Sequence, residues 1–208
     1  MNRSFYLVVA ATLGSASAHA GPVVSESRSP GTFHAVELKG ALGVEIRIDP
    51  KTSVEVSGDA DVLKQVTTEV KAGTLVIDTR GAIEGDRKLK VTIATPTLDA
   101  IALSGAGAIR VQGIASPKLA VDVAGTGAVD VSGSTDDLTI DMGGAGTIHA
   151  KDLTAKAVAI ALSGTGEAVV TANHKLTAVV SGVGNVVVYG HPKSVTKQVT
   201  GIGRVRLR

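Results

Sequence analysis

The sequence predicts an all-β protein: a single-stranded right-handed parallel β-helix, or solenoid, of about six glycine-cornered coils behind an irregular N-terminal half. Three observations carry this prediction. A small-Gly-x-Gly tetrad recurs six times, the copies are 18–20 residues apart, and apolar residues alternate with a period of two on both sides of each copy. The tetrads are Ser104-Gly105-Ala106-Gly107, Ala124-Gly125-Thr126-Gly127, Gly143-Gly144-Ala145-Gly146, Ser163-Gly164-Thr165-Gly166, Ser181-Gly182-Val183-Gly184 and Thr200-Gly201-Ile202-Gly203.

The elements follow in chain order. Residues 1–20 read as a secretory signal peptide: Arg3 forms the positive n-region, residues 5–13 a short apolar core, and Ala18-His19-Ala20 a small-residue cleavage site. The apolar run is much shorter than the roughly 20 residues of a spanning helix. No Cys follows the cleavage site to carry a lipid, and no later stretch is long and apolar enough to cross a bilayer. The expected mature chain begins at Gly21 and has a net charge of +1, with residues 21–32 as a flexible polar lead-in.

Residues 33–96 are expected to hold irregular coils and a cap. Residues 33–48, 53–57, 75–78 and 88–94 alternate like strands. Between them, residues 59–70 place Val62, Leu63, Val66 and Val70 on one side of a short capping helix with Asp59 as its N-cap. A solenoid needs such a cover, because an open terminal coil exposes a row of unpaired backbone groups.

Residues 97–208 form the regular repeats. Two positions before each first glycine stand Leu103, Val123, Met142, Leu162, Val180 and Val199. Four positions after it stand Ile109, Val129, Ile148, Ala168, Val186 and Val205, and six after it Val111, Val131, Ala150, Val170, Val188 and Leu207. Four before, Ile101, Val121, Ile140 and Ile160 keep the pattern, Ala178 weakens it and Lys197 breaks it. A unit of about 19 residues cannot bury its own apolar face, but stacked coils turn equivalent positions into inward ladders. Parallel strands about 4.8 Å apart then exchange backbone hydrogen bonds from coil to coil. The corner glycines share parity with the inward residues, so they serve either to let the backbone pinch or to adopt positive φ. At the C-terminus, Arg204, Arg206 and Arg208 alternate with Val205 and Leu207, a device that discourages edge-to-edge pairing.

Composition narrows the function. Lys and Arg number 21 against 19 Asp and Glu, and a net charge of +2 is too small a positive field to hold a nucleic acid. The absence of Cys excludes a disulfide framework and a thiolate metal site. Two Phe, two Tyr and no Trp leave few platforms for stacking bases or sugar rings. No cofactor motif is present: the tetrads open no helix and no Walker-type Lys follows them.

The repeating unit, which stands as LDAIALSGAGAIRV, LAVDVAGTGAVDV, LTIDMGGAGTIHA, VAIALSGTGEAVV, LTAVVSGVGNVVV and VTKQVTGIGRVRL, resembles the autotransporter-adhesin head family, the GIN domain. The opening FHAVELKGALGVEIRI is similar to the N-terminal half of that family, so the resemblance covers residues 33–208. It implies an exported bacterial protein with a β-helical fold and an adhesin-like role, and it transfers no catalytic residue.

Candidate sites are outward residues in register. Asp122 and Asp141 hold the same offset in adjacent coils, a carboxylate pair that suits a cation or a polysaccharide substrate, or simply two solvated side chains. Arg110, Asp130 and His149 form one polar column and Glu167, Asn185 and Arg204 another; both read as structural charge ladders. His174 and His191 share a turn edge without a third metal ligand. The expected function is an exported, non-enzymatic solenoid, periplasmic or on the cell surface, that binds a protein or cell-surface component. The alternatives are a carbohydrate-active enzyme using Asp122 and Asp141, and a scaffold that self-associates through coil edges.

Overall fold

A computed structural model describes residues 23–81 and 89–208, so the expected signal peptide lies outside the described residues. The N-terminal half contains β1 (Val23–Arg28), β2 (Ala35–Leu38), β3 (Ala41–Ile48), β4 (Ser53–Asp59), α1 (Ala60–Leu63), β5 (Val66–Lys71), β6 (Thr74–Thr79) and β7 (Lys90–Thr95). The repeats hold β8 (Ala100–Leu103), β9 (Ala106–Val123), β10 (Thr126–Met142), β11 (Ala145–Leu162), β12 (Thr165–Val180), β13 (Val183–Tyr189), β14 (Ser194–Val199) and β15 (Ile202–Leu207). β-branched Val, Ile and Thr fill these strands because their restricted χ1 suits a pleated, half-buried surface.

From β8 onward every strand pairing is parallel. The register is the one the tetrads predict. Gly107, Gly127, Gly146, Gly166, Gly184 and Gly203 are successive partners. The six corners bound about five turns of a solenoid. Ile109, Val129, Ile148, Ala168 and Val186 stack as one inward ladder, each fully buried, and Leu103, Val123, Met142, Leu162 and Val180 form a second. These ladders join one continuous core that runs from Phe33 to Val188. The corner amides donate to the preceding coil: Gly144 N–H to the Val123 carbonyl at 2.8 Å and Ala145 N–H to the Gly125 carbonyl at 2.9 Å.

Close approach explains the corner glycines. A Cβ on Gly125, Gly144, Gly164, Gly182 or Gly201 would fall on the carbonyl oxygen of the glycine one coil below, and on Gly105 it would meet the Lys39 carbonyl. At Gly127, Gly146, Gly166, Gly184 and Gly203 it would likewise strike the preceding glycine's carbonyl, and at Gly107 that of Leu42. The missing side chain would thus point along the stack, into neighbouring backbone. Positive φ adds a second reason at Gly107, Gly127 and Gly166 alone among these twelve.

The N-terminal half completes the stack in an order the chain does not follow. β2 and β3 form a coil around a Lys39–Gly40 corner; β2 pairs with β8 and β3 with β9, both parallel. On the other side, β6 pairs with β2 and β7 with β3. The β6–β7 layer therefore lies outside the β2–β3 layer, although it comes later in sequence. Beyond it pairing turns antiparallel, β5 on β6, β4 on β7 and β1 on β4, which closes this end.

Two sequence expectations need correction. The helix expected over 59–70 is one turn, α1, while Val66–Lys71 is strand β5. β5 and β6 form a hairpin whose two-residue loop, Ala72 and Gly73, has φ of 49° and 79°. Pairing of the β-branched Val66, Thr67, Thr68 and Val70 outweighs the helical spacing of the apolar residues. The lead-in expected over 21–32 contains β1, whose backbone covers the edge of β4. Its side chains are mostly exposed, so no apolar pattern announced it. Among the described residues no helix is long and apolar enough to cross a membrane.

Candidate binding surface

Odd offsets in each repeat face outward, and the register stacks them into columns. Three residues before the first glycine, Ala102, Asp122, Asp141, Ala161, Val179 and Gln198 are successive partners. Asp122 and Asp141 are therefore direct neighbours on adjacent strands, both exposed. Partial burial, then the negative charges of Asp141 and Glu37, holds the Asp122 carboxyl above the usual carboxylate range. Glu37 sits on β2 two coils away, where it accepts a hydrogen bond from Ser104 Oγ at 2.8 Å and lies 3.6 Å from Lys39 Nζ.

The column five residues past the glycine runs Glu45, Arg110, Asp130, His149, Val169, Val187, Arg206. Signs alternate along its first three members. Asp130 Oδ1 lies 2.9 Å from His149 Nδ1, and its Oδ2 lies 3.5 Å from Arg110. Lys90 Nζ meets Glu45 at 2.7 Å. Arg110, Asp130, Ser132, His149 and Lys151 border a shallow depression of about 290 Å³. Lys151 Nζ, on the same strand as His149, stands 4.6 Å from the centroid of the Tyr189 ring two coils on, a cation–π contact. With both of its oxygens engaged, Asp130 serves as a tie between three coils.

Among the described residues the remaining sequence candidates form no ion-paired group. Glu167, Asn185 and Arg204 are register partners on β12, β13 and β15 with no ion pair among them. His174, within β12, and His191, between β13 and β14, lie between the pairs Thr171–Tyr189 and Lys175–Ser194. Among the described residues no cluster of three or more His, Asp or Glu side chains is arranged to hold a metal ion. Sequence reasoning missed Glu37 and Glu45, because their coil joins the repeats across some fifty intervening residues. It also missed the Lys151–Tyr189 contact, which depends on side-chain reach more than on column.

The sequence profile described as "Putative auto-transporter adhesin, head GIN domain" matches residues 32–192. The chain belongs to the GIN-domain family. Solved structures share its fold. A putative adhesin from Bacteroides fragilis aligns over 90% of this chain and 97% of its own at 21% identity, with a TM-score of 0.73. A putative adhesin from Parabacteroides merdae aligns over 90% and 97% at 19% identity, with a TM-score of 0.55. A putative lipid binding protein from Parabacteroides distasonis aligns over the same shares at 19% identity, with a TM-score of 0.53. No curated protein matches the chain. This GIN domain presents polar groups on outward columns, ion-paired around Asp130, while among the described residues Asp122 and Asp141 form no ion pair.

Proposed function

We propose that this GIN domain is an exported, non-enzymatic binding protein that contacts a cell-surface or envelope component through the outward columns of its solenoid. The observation that carries the reading is the registered surface around the corners, where Ala106, Thr126, Ala145 and Thr165 expose short side chains on four consecutive coils, flanked by Ser104, Ala124 and Ser163. Short side chains on hydrogen-bonded coils lose little rotamer freedom on contact, so such a surface binds at low entropic cost. Family membership supports an adhesin-like role, and the pattern of residues 1–20 supports export.

The test has two stages. Fractionation of cells expressing the full chain, with mass determination of its N-terminus, is expected to recover an envelope or secreted species beginning at Gly21. A cytoplasmic species that keeps Met1 overturns export. Cross-linking on intact cells, followed by reconstitution with the identified component, is expected to give saturable binding without turnover. Release of reducing ends or unsaturated products from an acidic polysaccharide, abolished by Asp122→Ala, overturns the non-enzymatic reading in favour of a carbohydrate-active enzyme.

A further inference from the structure

The last coil differs from the rest in charge and in cover. Residues 168–208 hold six basic side chains and no acidic one, whereas the preceding 167 residues hold fifteen basic against nineteen acidic. Five of the six, Lys193, Lys197, Arg204, Arg206 and Arg208 above all, lie on or beside the final strands, and among the described residues none of them forms an ion pair. Among the described residues β14 pairs with β12 and β15 with β13, and no described strand pairs with the second edge of either. The inward ladders surface here as well: Val199 is 41% exposed and Leu207 42%, where their equivalents one coil earlier are buried.

We propose that this C-terminal edge accepts an extended acidic segment of a partner protein, which adds as the next strand and places its carboxylates beside Arg204 and Arg206. The solenoid already contains the pairing rule. Arg206 occupies the column in which Asp130 pairs with Arg110 and His149 across adjacent coils. A strand alternating acidic and apolar residues satisfies three demands together: open amides and carbonyls, half-covered Val199 and Leu207, and unpaired guanidinium groups. A second copy of this edge sets Arg against Arg, which disfavours two-fold end-to-end pairing. At the opposite end, Glu26 of β1 is already engaged by Arg28 at 2.9 Å. An anionic lipid surface matches the charge but leaves the backbone edge and the apolar ladder unanswered. Arg204 and Arg206 end two of the outward columns, whereas the corner surface of Ala124, Thr126, Ser163 and Thr165 lies on earlier coils, so failure of this edge leaves the reading of that surface untouched.

The test titrates the full chain with a short synthetic peptide alternating Glu and Val, read by fluorescence anisotropy, with hydrogen exchange followed on β15. The expected result is saturable binding that weakens with added salt and protects β15 amides. A peptide of the same composition with Glu and Val in separate blocks is expected to bind at least ~10-fold more weakly. The Arg204→Glu, Arg206→Glu double variant is expected to lose the Glu–Val peptide by ~10-fold or more and to gain a Lys–Val peptide. A melting curve confirms that this variant is folded, and the salt titration and exchange data on the unaltered chain stand independently of it. Equal binding of the block peptide, equal or tighter binding of phosphatidylglycerol vesicles, or absence of β15 protection overturns the proposal. So does a sedimentation coefficient that rises with protein concentration in the absence of peptide.

Discussion

Gly144 lies against the carbonyl oxygen of Gly125 so closely that a Cβ on Gly144 would overlap it, with the Ala124 carbonyl crowding the same space. Both obstacles are backbone atoms in a hydrogen-bonded ladder, which no rotamer change relieves. Gly144→Ala is therefore expected to destabilise the solenoid by roughly 3 kcal/mol or more, and Gly144→Val further. Gly43, on β3, has open space where its Cβ would go, so Gly43→Ala is expected to leave stability within about 1 kcal/mol. Urea unfolding of the two variants checks the contrast; equal midpoints contradict the close-approach account.

Asp122 supplies a pH test. Its carboxyl is held above the ordinary range in the folded state, first by burial and then by Asp141 and Glu37. A raised folded value means that the protonated form is favoured by folding. That contribution is present below the unfolded carboxylate value and lost as pH rises through the raised one. Asp122→Asn is thus expected to melt at a higher temperature than the unaltered chain near pH 7 and at nearly the same temperature near pH 3. A lower melting temperature at neutral pH rejects the repulsion.

The Arg110–Asp130–His149 column is exposed enough that its worth is small. Asp130→Ala is expected to cost about 1 kcal/mol or less, shrinking in high salt. A double-mutant cycle with Arg110→Ala measures the coupling, and a value of several kcal/mol would mean that the column is a structural keystone.

Leu162 stands in the inward ladder between Met142 and Val180, and is 1% exposed. Leu162→Ala is expected to lose about 2–5 kcal/mol through lost burial and a cavity spanning adjacent coils. Val199, 41% exposed in the final coil, is the comparison: Val199→Ala is expected to cost about 1 kcal/mol or less. Similar losses at both positions would contradict the fading of the core toward the last coil.

The repeat region was legible because one local rule operates at every coil. A corner that admits only glycine and a period of two on either side specify which residues face inward, and a constant repeat length then brings equal offsets into register. Asp122 beside Asp141 and Asp130 between Arg110 and His149 follow from counting alone. The N-terminal half was not legible in this way. There, residues 66–71 carry an apolar spacing compatible with a helix, and only pairing with β6 makes them a strand.

By itself, the chain determined its fold class, its inward ladders and the neighbours along each outward column, since these depend on contacts between repeats of constant length. Tertiary structure alone decided that β6–β7 stacks outside β2–β3, that β1 closes the edge of β4, and that Glu37 adds its charge to the Asp122 column. Those pairings join segments far apart in sequence whose register no repeat length dictates. What selects them is the gain from covering an open backbone edge, which becomes available only after the neighbouring strand is in place.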